Sequence, residues 1–458
     1  MAASATVPLI VSVSGLRGIV GDSLTPDVAV RYAAAFAATL PAGPIVIGRD
    51  GRESGPLLME AIAAHLLASG RDVVDCGVAA TPTVGIVVQE ERAAGGIQIS
   101  ASHNPAAYNG LKLFSAAGRV LPAAAGAEVL AAFRSATGAR VAGRAGVAAG
   151  RLRRVDGGPT HVERVLGIVD VEAIRRRRPR VWLDAGHGAG SLVARPLLER
   201  LGCEVVIEGG EPDGRFTHPP EPTADNLAAM LPSIRVHRAD VGFFQDPDAD
   251  RLAIATAEGR YIGEEATLAL AVDAVLARRP GPIVVNCSTS GMAALIAARH
   301  GVPCHVSAVG EANVVDAMLA TQAVLGGEGN GGVIDPRVVL VRDSFVAMAL
   351  VLERLAGREG AGADVEGLAR GLPTLVMRKT KVDLAPAVAG PGLDAAFDRI
   401  TRAFPRAGVS RLDGLRLEWA GGWLLVRASN TEPIVRIVAE GADAAEVDEA
   451  IARVRAAL

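Results

Sequence analysis

Residues 44–77 read PIVIGRDGRESGPLLMEAIAAHLLASGRDVVDCG, and the order of residue types in this stretch decides the fold. An apolar run from Ile45 to Ile47 enters a polar, glycine-containing loop. The next stretch carries Leu57, Leu58, Ile62, Leu66 and Leu67 at helical spacing, and Gly70 stops it before a second apolar run at Val73 and Val74. Ser54 stands where a helix N-cap is expected. Strand, helix and strand in this order make a βαβ unit. The same order returns in RVWLDAGHGAGSLVARPLLERLGCEVVIEG at 180–209 and in PIVVNCSTSGMAALIAARHGVPCHVSAVG at 282–310. Three copies predict three related α/β domains. In each, a polar loop follows the carboxyl end of a strand, where open α/β sheets hold their ligands, so these loops are expected to carry the chemistry.

After about residue 370 the pattern changes. VDLAPAVAGPGLDAAFDRITRAF reads as one helix, RLDGLRLEWAGGWLLVRASN as a short hairpin and AAEVDEAIARVRAAL as a last helix, which predicts a smaller α+β domain. The expected domains are 1–152, 153–253, 254–370 and 371–458. The segment 115–155, rich in Ala, Gly and Arg, and the run Arg175 to Arg178 read as connecting surface.

A chain of 458 residues is long enough for several cores. Half of its residues are apolar but only 3% are aromatic, a balance that suits helices packed on parallel strands. The formal charge of −3 argues against nucleic acid or an acidic membrane as the main partner. Cys76, Cys203, Cys287 and Cys304 lie far apart and read as small core residues in a reducing compartment. The N-terminal stretch lacks the basic region of a signal peptide, and no apolar run approaches the roughly 18 residues that span a bilayer. A cytoplasmic protein acting on a small molecule is expected.

Four stretches can carry chemistry. GGIQISASHNPAAYNGLKLF, 95–114, ends a strand in a polar turn with Ser102, His103 and Asn104, and Lys112 follows. A serine needs a neighbouring base or cation to act as a nucleophile, and this turn offers both; the same residues also suit an ordinary turn. FFQDPDADR, 243–251, sets Asp246, Asp248 and Asp250 at alternate positions after an apolar strand. In an extended loop these carboxylates converge, which favours a hard cation such as magnesium or calcium, with a solvated acidic turn as the alternative. An EF-hand is excluded because Arg251 and Ala257 occupy its required Gly and Glu positions. RASNTEPIVRI, 427–437, gathers Arg427, Ser429, Asn430, Thr431 and Arg436 into either a phosphate cradle or an exposed hairpin turn. VLGGEGNGGVIDP, 324–336, leaves Glu328 and Asn330 as the polar side chains of a glycine-dense loop in which a sugar's hydroxyls would fit. Arg17, in VSGLRGIVGD, reads by itself as a surface charge.

Taken in order, SASHNP, DPDADR, GEGNG and RASNTEP resemble the α-D-phosphohexomutase family over essentially the whole chain. The resemblance implies four domains around a central cleft: three related α/β domains with mixed sheets, carrying the phosphoserine, metal and sugar loops, and a smaller C-terminal α+β domain carrying the phosphate loop. It implies that Ser102 is phosphorylated and that Asp246, Asp248 and Asp250 hold Mg2+ together with a phosphoserine oxygen. Arg17, His103 and Lys112 match positions beside the transferring group, Lys112 as a candidate proton acceptor. Arg251 follows the metal triplet as in relatives, Glu328 matches a glutamate that binds sugar hydroxyls, and the C-terminal loop grips the other phosphate.

The implied activity interconverts a hexose 6-phosphate and a hexose 1-phosphate through a bisphosphorylated sugar, with a catalytic hexose 1,6-bisphosphate as activator. The enzyme would be a monomer or homodimer whose fourth domain moves to exclude water. The form GEGNGGVI looks like that of archaeal-type phosphoglucosamine mutases, which points to glucosamine phosphate, with mannose or glucose phosphate as the alternative. Ala308 departs from the basic or bulkier residue of many relatives. A sugar-phosphate hydrolase needs no second phosphate loop, and a non-catalytic sensor needs neither Ser102 nor the three aspartates.

Overall fold

The computed structural model describes residues 8–135, 148–360, 362–383, 391–428 and 434–458. In the first repeat, strand Ile45–Arg49, helix Gly55–Ala68 and strand Val73–Val78 form the expected parallel unit. Leu58, Ile62 and Leu66 face the core, but Leu57 is 54% exposed, because a one-residue step turns a side chain by about 100° around the helix. Ser54 makes no capping bond; its hydroxyl instead accepts from Asn109 Nδ2 at 3.0 Å. Strands Arg180–Asp184 and Glu204–Glu208, and strands Ile283–Asn286 and Cys304–Ser307, pair in parallel in the same way.

Each repeat lies in a mixed sheet built on one plan. A central strand pairs in parallel with the repeat's first strand and then turns back into an antiparallel neighbour. These hairpins are Gly95–Ile99 with Tyr108–Ser115, Val241–Gln245 with Leu252–Thr256, and Leu325–Glu328 with Gly332–Ile334. The serine, aspartate and glutamate stretches are the turns of these three hairpins.

The expectation that the strand-to-helix loops carry the chemistry is therefore corrected: those loops brace the turns. Ala189 N donates to Pro247 O at 2.8 Å, and a Cβ on Gly188 would run into the Pro247 backbone. Asn286 Nδ2 donates to Glu328 at 2.8 Å, and Thr289 Oγ1 accepts from Gly329 N at 3.0 Å. A hairpin turn at the carboxyl edge projects its side chains past the sheet, while the neighbouring loop supplies the hydrogen bonds that fix it.

One apolar core runs through the first three domains and includes Val84, Val165, Leu197, Leu268 and Phe345. Buried His161 lies where they meet, 2.8 Å from Thr83 Oγ1 and 2.7 Å from Asp343 Oδ2. The C-terminal domain has its own core around Phe397, Leu415, Val435 and Val447. Its five-stranded antiparallel sheet holds the expected hairpin, Leu415–Trp419 with Gly422–Ala428, and two helices, Pro391–Ala403 and Ala444–Ala457. Val382 and Asp383, read from sequence as helix, belong to strand Val376–Asp383, where Lys379 and Lys381 flank Thr380 and so project from the same face.

The segment 115–155 is not all connecting surface, since helix Ala123–Ser135 buries Val129 and Phe133. The four cysteines are free thiols, with Cys287 buried and the others half-buried. No described helix is long and apolar enough to cross a membrane.

Candidate active site

Ser102 sits at φ +50°, a left-handed conformation unfavourable for a residue with a Cβ, and is 1% exposed. Its Oγ donates to Asp246 Oδ2 at 2.7 Å and lies 3.4 Å from His103 Nδ1. The two turns, 144 residues apart in sequence, thus meet at one hydroxyl. Arg17 lies on strand Gly15–Ile19 beside the serine turn and donates from Nη1 to Asn104 Oδ1 at 3.1 Å, so it is not the surface charge its sequence setting suggested. Burial, then Arg251 and Arg17, push the His103 imidazole down to a pKa of about 2, leaving the ring neutral at ordinary pH.

Asp246, Asp248 and Asp250 are all fully buried, with ligand-competent oxygens within 4.8 Å of one another. Asp246 Oδ1 accepts from the backbone of Asp250 and Arg251, both at 3.1 Å, and Asp248 Oδ2 accepts from Thr81 Oγ1 at 2.6 Å. Lys112 Nζ lies 2.7 Å from Asp250 Oδ2 and 3.3 Å from Asp248 Oδ2. Asp248 Oδ1 and Asp250 Oδ1 are buried and without a hydrogen bond. Desolvated carboxylate oxygens left unpaired beside one another are costly unless a cation takes them. The donor set therefore fits a hard divalent ion. Burial, Asp248 and Asp250 raise the pKa of Asp246. For Lys112, burial opposes the charge but Asp248 and Asp250 outweigh it, so its pKa stands above the usual lysine value. In this arrangement Lys112 is a cation rather than a free base.

Glu328 is 4% exposed and held by three donors. Its Oε1 accepts from Asn286 Nδ2 at 2.8 Å and Gly310 N at 3.1 Å, and its Oε2 from Arg342 Nη1 at 2.6 Å. Arg342 also donates to Asp250 Oδ2 at 2.6 Å and lies 3.5 Å from Glu311, tying the glutamate turn to the aspartate turn. Arg342, Thr81 and Asn286 were not expected from sequence. Arg342 and Asp343 sit in an apolar setting just before helix Ser344–Ala356, and only the topology reveals what they face. Asn330 holds its own turn by accepting from Gly332 N at 3.2 Å.

A cleft of about 670 Å³ is lined by all four domains, including His103, Arg251, Glu328, Asn330, Arg427 and Arg436. Arg427, Arg436 and Lys381 are register partners across three adjacent strands of the C-terminal sheet, so they form one cationic row on its cleft face. Lys381 was also missed, although its alternation with Lys379 was visible in the sequence. Ser429, Asn430 and Thr431 lie outside the described residues. A larger cavity, about 1090 Å³, opens between the first two domains, and none of the expected site residues lines it.

The C-terminal domain touches the third through polar contacts at the cleft rim. Lys379 Nζ donates to Glu265 Oε1 at 2.9 Å, Gly291 N to Glu440 Oε1 at 2.7 Å, and Val309 N to Asp413 Oδ2 at 3.0 Å. Burial outweighs Lys379 and pushes Glu265 from 4.5 up to about 7. The folded protein therefore holds a proton that the unfolded chain has released. Glu265's contribution to stability is full below pH 4.5 and is lost as pH rises through about 7. Calorimetric Tm measured from pH 5 to 8 should fall less steeply with pH in Glu265→Gln than in the parent. Parallel profiles would refute the assignment.

Comparison with known proteins gives the class first: intramolecular phosphotransferases, which are isomerases. Sequence profiles described as phosphoglucomutase/phosphomannomutase alpha/beta/alpha domains I, II and III match residues 9–140, 159–259 and 264–374, and the C-terminal domain profile matches 381–457. The chain belongs to the phosphoglucomutase/phosphomannomutase family. It is 37% identical over 93% of both chains to a Thermococcus kodakarensis protein named phosphoglucomutase/phosphomannomutase. It is 32% identical, over 93% of both, to a probable phosphoglucosamine mutase of the same organism. A solved Burkholderia thailandensis protein of the phosphoglucomutase/phosphomannomutase family superposes with a TM-score of 0.83, at 30% identity over 98% of each chain.

Proposed function

We propose that this enzyme interconverts the 6-phosphate and 1-phosphate of an aldohexose through a phosphoserine at Ser102. The observation that carries this reading is a pair of phosphate-competent walls facing one cleft. His103 and Arg251, which adjoin the buried Ser102 and the aspartate triplet, line one, and the row Lys381, Arg436 and Arg427 lines the other. The Oγ–phosphorus bond of phosphoserine breaks as a phosphorus–oxygen bond forms to the sugar's free hydroxyl. That hydroxyl's proton passes to Ser102 Oγ as the phosphorus–oxygen bond there breaks, so the serine is regenerated as a neutral hydroxyl and no proton is left over. The bisphosphorylated sugar then reorients, its original phosphate returns to Ser102, and the new one rests on the cationic row. Asp246, Asp248, Asp250 and Ser102 would hold magnesium, which supplies charge neutralisation to the phosphoryl oxygens. Arg251, beside Asp250, and Glu328 and Asn330, which line the same cleft, orient the sugar.

For the substrate, the GEGNG turn and the carboxylates Glu221 and Glu264 on the cleft wall favour a sugar ammonium group, hence glucosamine phosphate. The 37% identical relative named phosphoglucomutase/phosphomannomutase supports the second reading, a glucose or mannose phosphate. The test is phosphorus NMR of magnesium-loaded enzyme primed with glucose 1,6-bisphosphate and given the 6-phosphates of glucosamine, glucose and mannose in turn. Conversion to 1-phosphate without free phosphate is expected, fastest with glucosamine. Steady release of inorganic phosphate would mean a hydrolase, and no turnover with any of the three would overturn the reading.

A further inference from the structure

Ser102 is held by its backbone, and a single arginine does most of the holding. The Arg52 side chain is 1% exposed, and its guanidinium donates to four carbonyls of the serine turn. Nη2 reaches the carbonyls of Ser102 and Asn104, both at 2.6 Å, and Nη1 reaches those of Pro105 at 2.7 Å and Tyr108 at 3.0 Å. Its Nε donates to Asp50 Oδ2 at 3.1 Å, and its own backbone N–H donates to Asp50 Oδ1 at 3.0 Å. Asp50 Oδ2 also accepts from Ser100 Oγ at 2.7 Å, and Ser100 Oγ accepts from Ser102 N at 2.8 Å.

The clamp therefore grips Ser102 on both sides, at its carbonyl directly and at its amide through Asp50 and Ser100. From the second domain, the Phe216 ring stacks 5.0 Å from the guanidinium, and Gly51 lies so close to His187 and Pro212 that a Cβ would run into both backbones. No side-chain atom of Arg52 reaches Ser102 Oγ.

We propose that Arg52 is a positioning residue for phosphoryl transfer, fixing Ser102 in its left-handed conformation with its hydroxyl on the aspartate triplet. A left-handed serine is strained against its relaxed backbone, and without this fork on its carbonyls the turn would relax that strain by rotating Oγ away. A planar five-donor fork can serve four carbonyls at once, whereas lysine's single ammonium cannot. This inference rests on Ser102 being the phosphorylated residue.

The experiment is phosphorylation of Ser102 by glucose 1,6-bisphosphate, read by phosphorus NMR and intact mass, together with steady-state kinetics of Arg52→Lys and Ser100→Ala. Both variants are expected to bind substrate with KM within about threefold of the parent. For Arg52→Lys, kcat and the phosphorylation rate should fall by roughly 100-fold, with a broadened phosphoserine resonance. Ser100→Ala deletes one hydroxyl and should lose about tenfold in both rates. A purely structural role would lower Tm while leaving kcat and phosphorylation per folded molecule unchanged, which would overturn the proposal. If Arg52→Lys does not fold, unchanged phosphorylation in Ser100→Ala would do the same. Absence of phosphate on Ser102 in the parent enzyme would instead remove the phosphoserine reading on which the proposal stands.

Discussion

Ser102→Ala is expected to abolish interconversion, lowering kcat on the order of a millionfold, as removal of a covalent nucleophile does elsewhere. The fold should survive. Alanine bears the same backbone cost at φ +50°, and the bonds from Ser100 Oγ and Arg52 reach the main chain of residue 102, not its side chain. What is lost is the hydroxyl on Asp246 Oδ2 and the acceptor for phosphate. Ser102→Gly should be equally inactive but about 1 kcal/mol more stable than the alanine variant, because glycine relieves the left-handed strain. The phosphorus NMR assay together with thermal denaturation reads both effects. Retention of more than about 1% of parental turnover, far above the loss expected for a nucleophile, would sink the phosphoserine route.

Arg342→Met should be the most destabilising of the cleft substitutions, by about 3–5 kcal/mol near neutral pH. The guanidinium is the shared partner of Asp250, Glu328 and Glu311, which are 0%, 4% and 8% exposed. Removing it leaves three buried carboxylates around an apolar side chain. Burial alone would raise the pKa values of Asp250 and Glu328, but Arg342, together with Lys112 beside Asp250 and Asn286 beside Glu328, outweighs it and holds both below their usual values. Their contribution to stability is therefore present above pH 4.5 and lost as pH falls through their depressed folded values. The gap between parent and variant should narrow as the medium is acidified below about pH 4. Denaturant midpoints at pH 7.5 and at about pH 3 test this. A neutral-pH loss under 1 kcal/mol, or a gap that widens in acid, would refute the charge-balancing role. Turnover should also fall, since the glutamate and aspartate turns lose their common tie.

The strand and helix pattern was legible wherever local periodicity is strong. All three βαβ units fall where 44–77, 180–209 and 282–310 placed them, because alternating and 3.6-residue patterns are local properties of the chain. The first misreadings came where a short stretch obeys neither period clearly. Val382 and Asp383 continue a strand because Ile434–Gly441 offers a full antiparallel edge, which local sequence does not encode. Ser54 gives its hydroxyl to Asn109 rather than to its helix, a preference set by a strand 55 residues away.

The residue types gathered at the candidate site stood out in the sequence for a different reason. Ser102, the alternating aspartates and Glu328 each lie in a compact turn whose composition is odd for a turn that does nothing else. What the amino-acid sequence alone determined was the set of elements, the three repeated domains with a fourth of another kind, and the chemical groups brought to each turn. The tertiary structure decided which turn faces which, that the strand-to-helix loops brace rather than react, and that Arg52, Arg342, Thr81 and Lys381 belong to the site. The reason is physical: a buried ion or a strained backbone is stabilised by partners dozens to hundreds of residues distant, and only closing the sheets upon one another brings those partners within hydrogen-bonding reach.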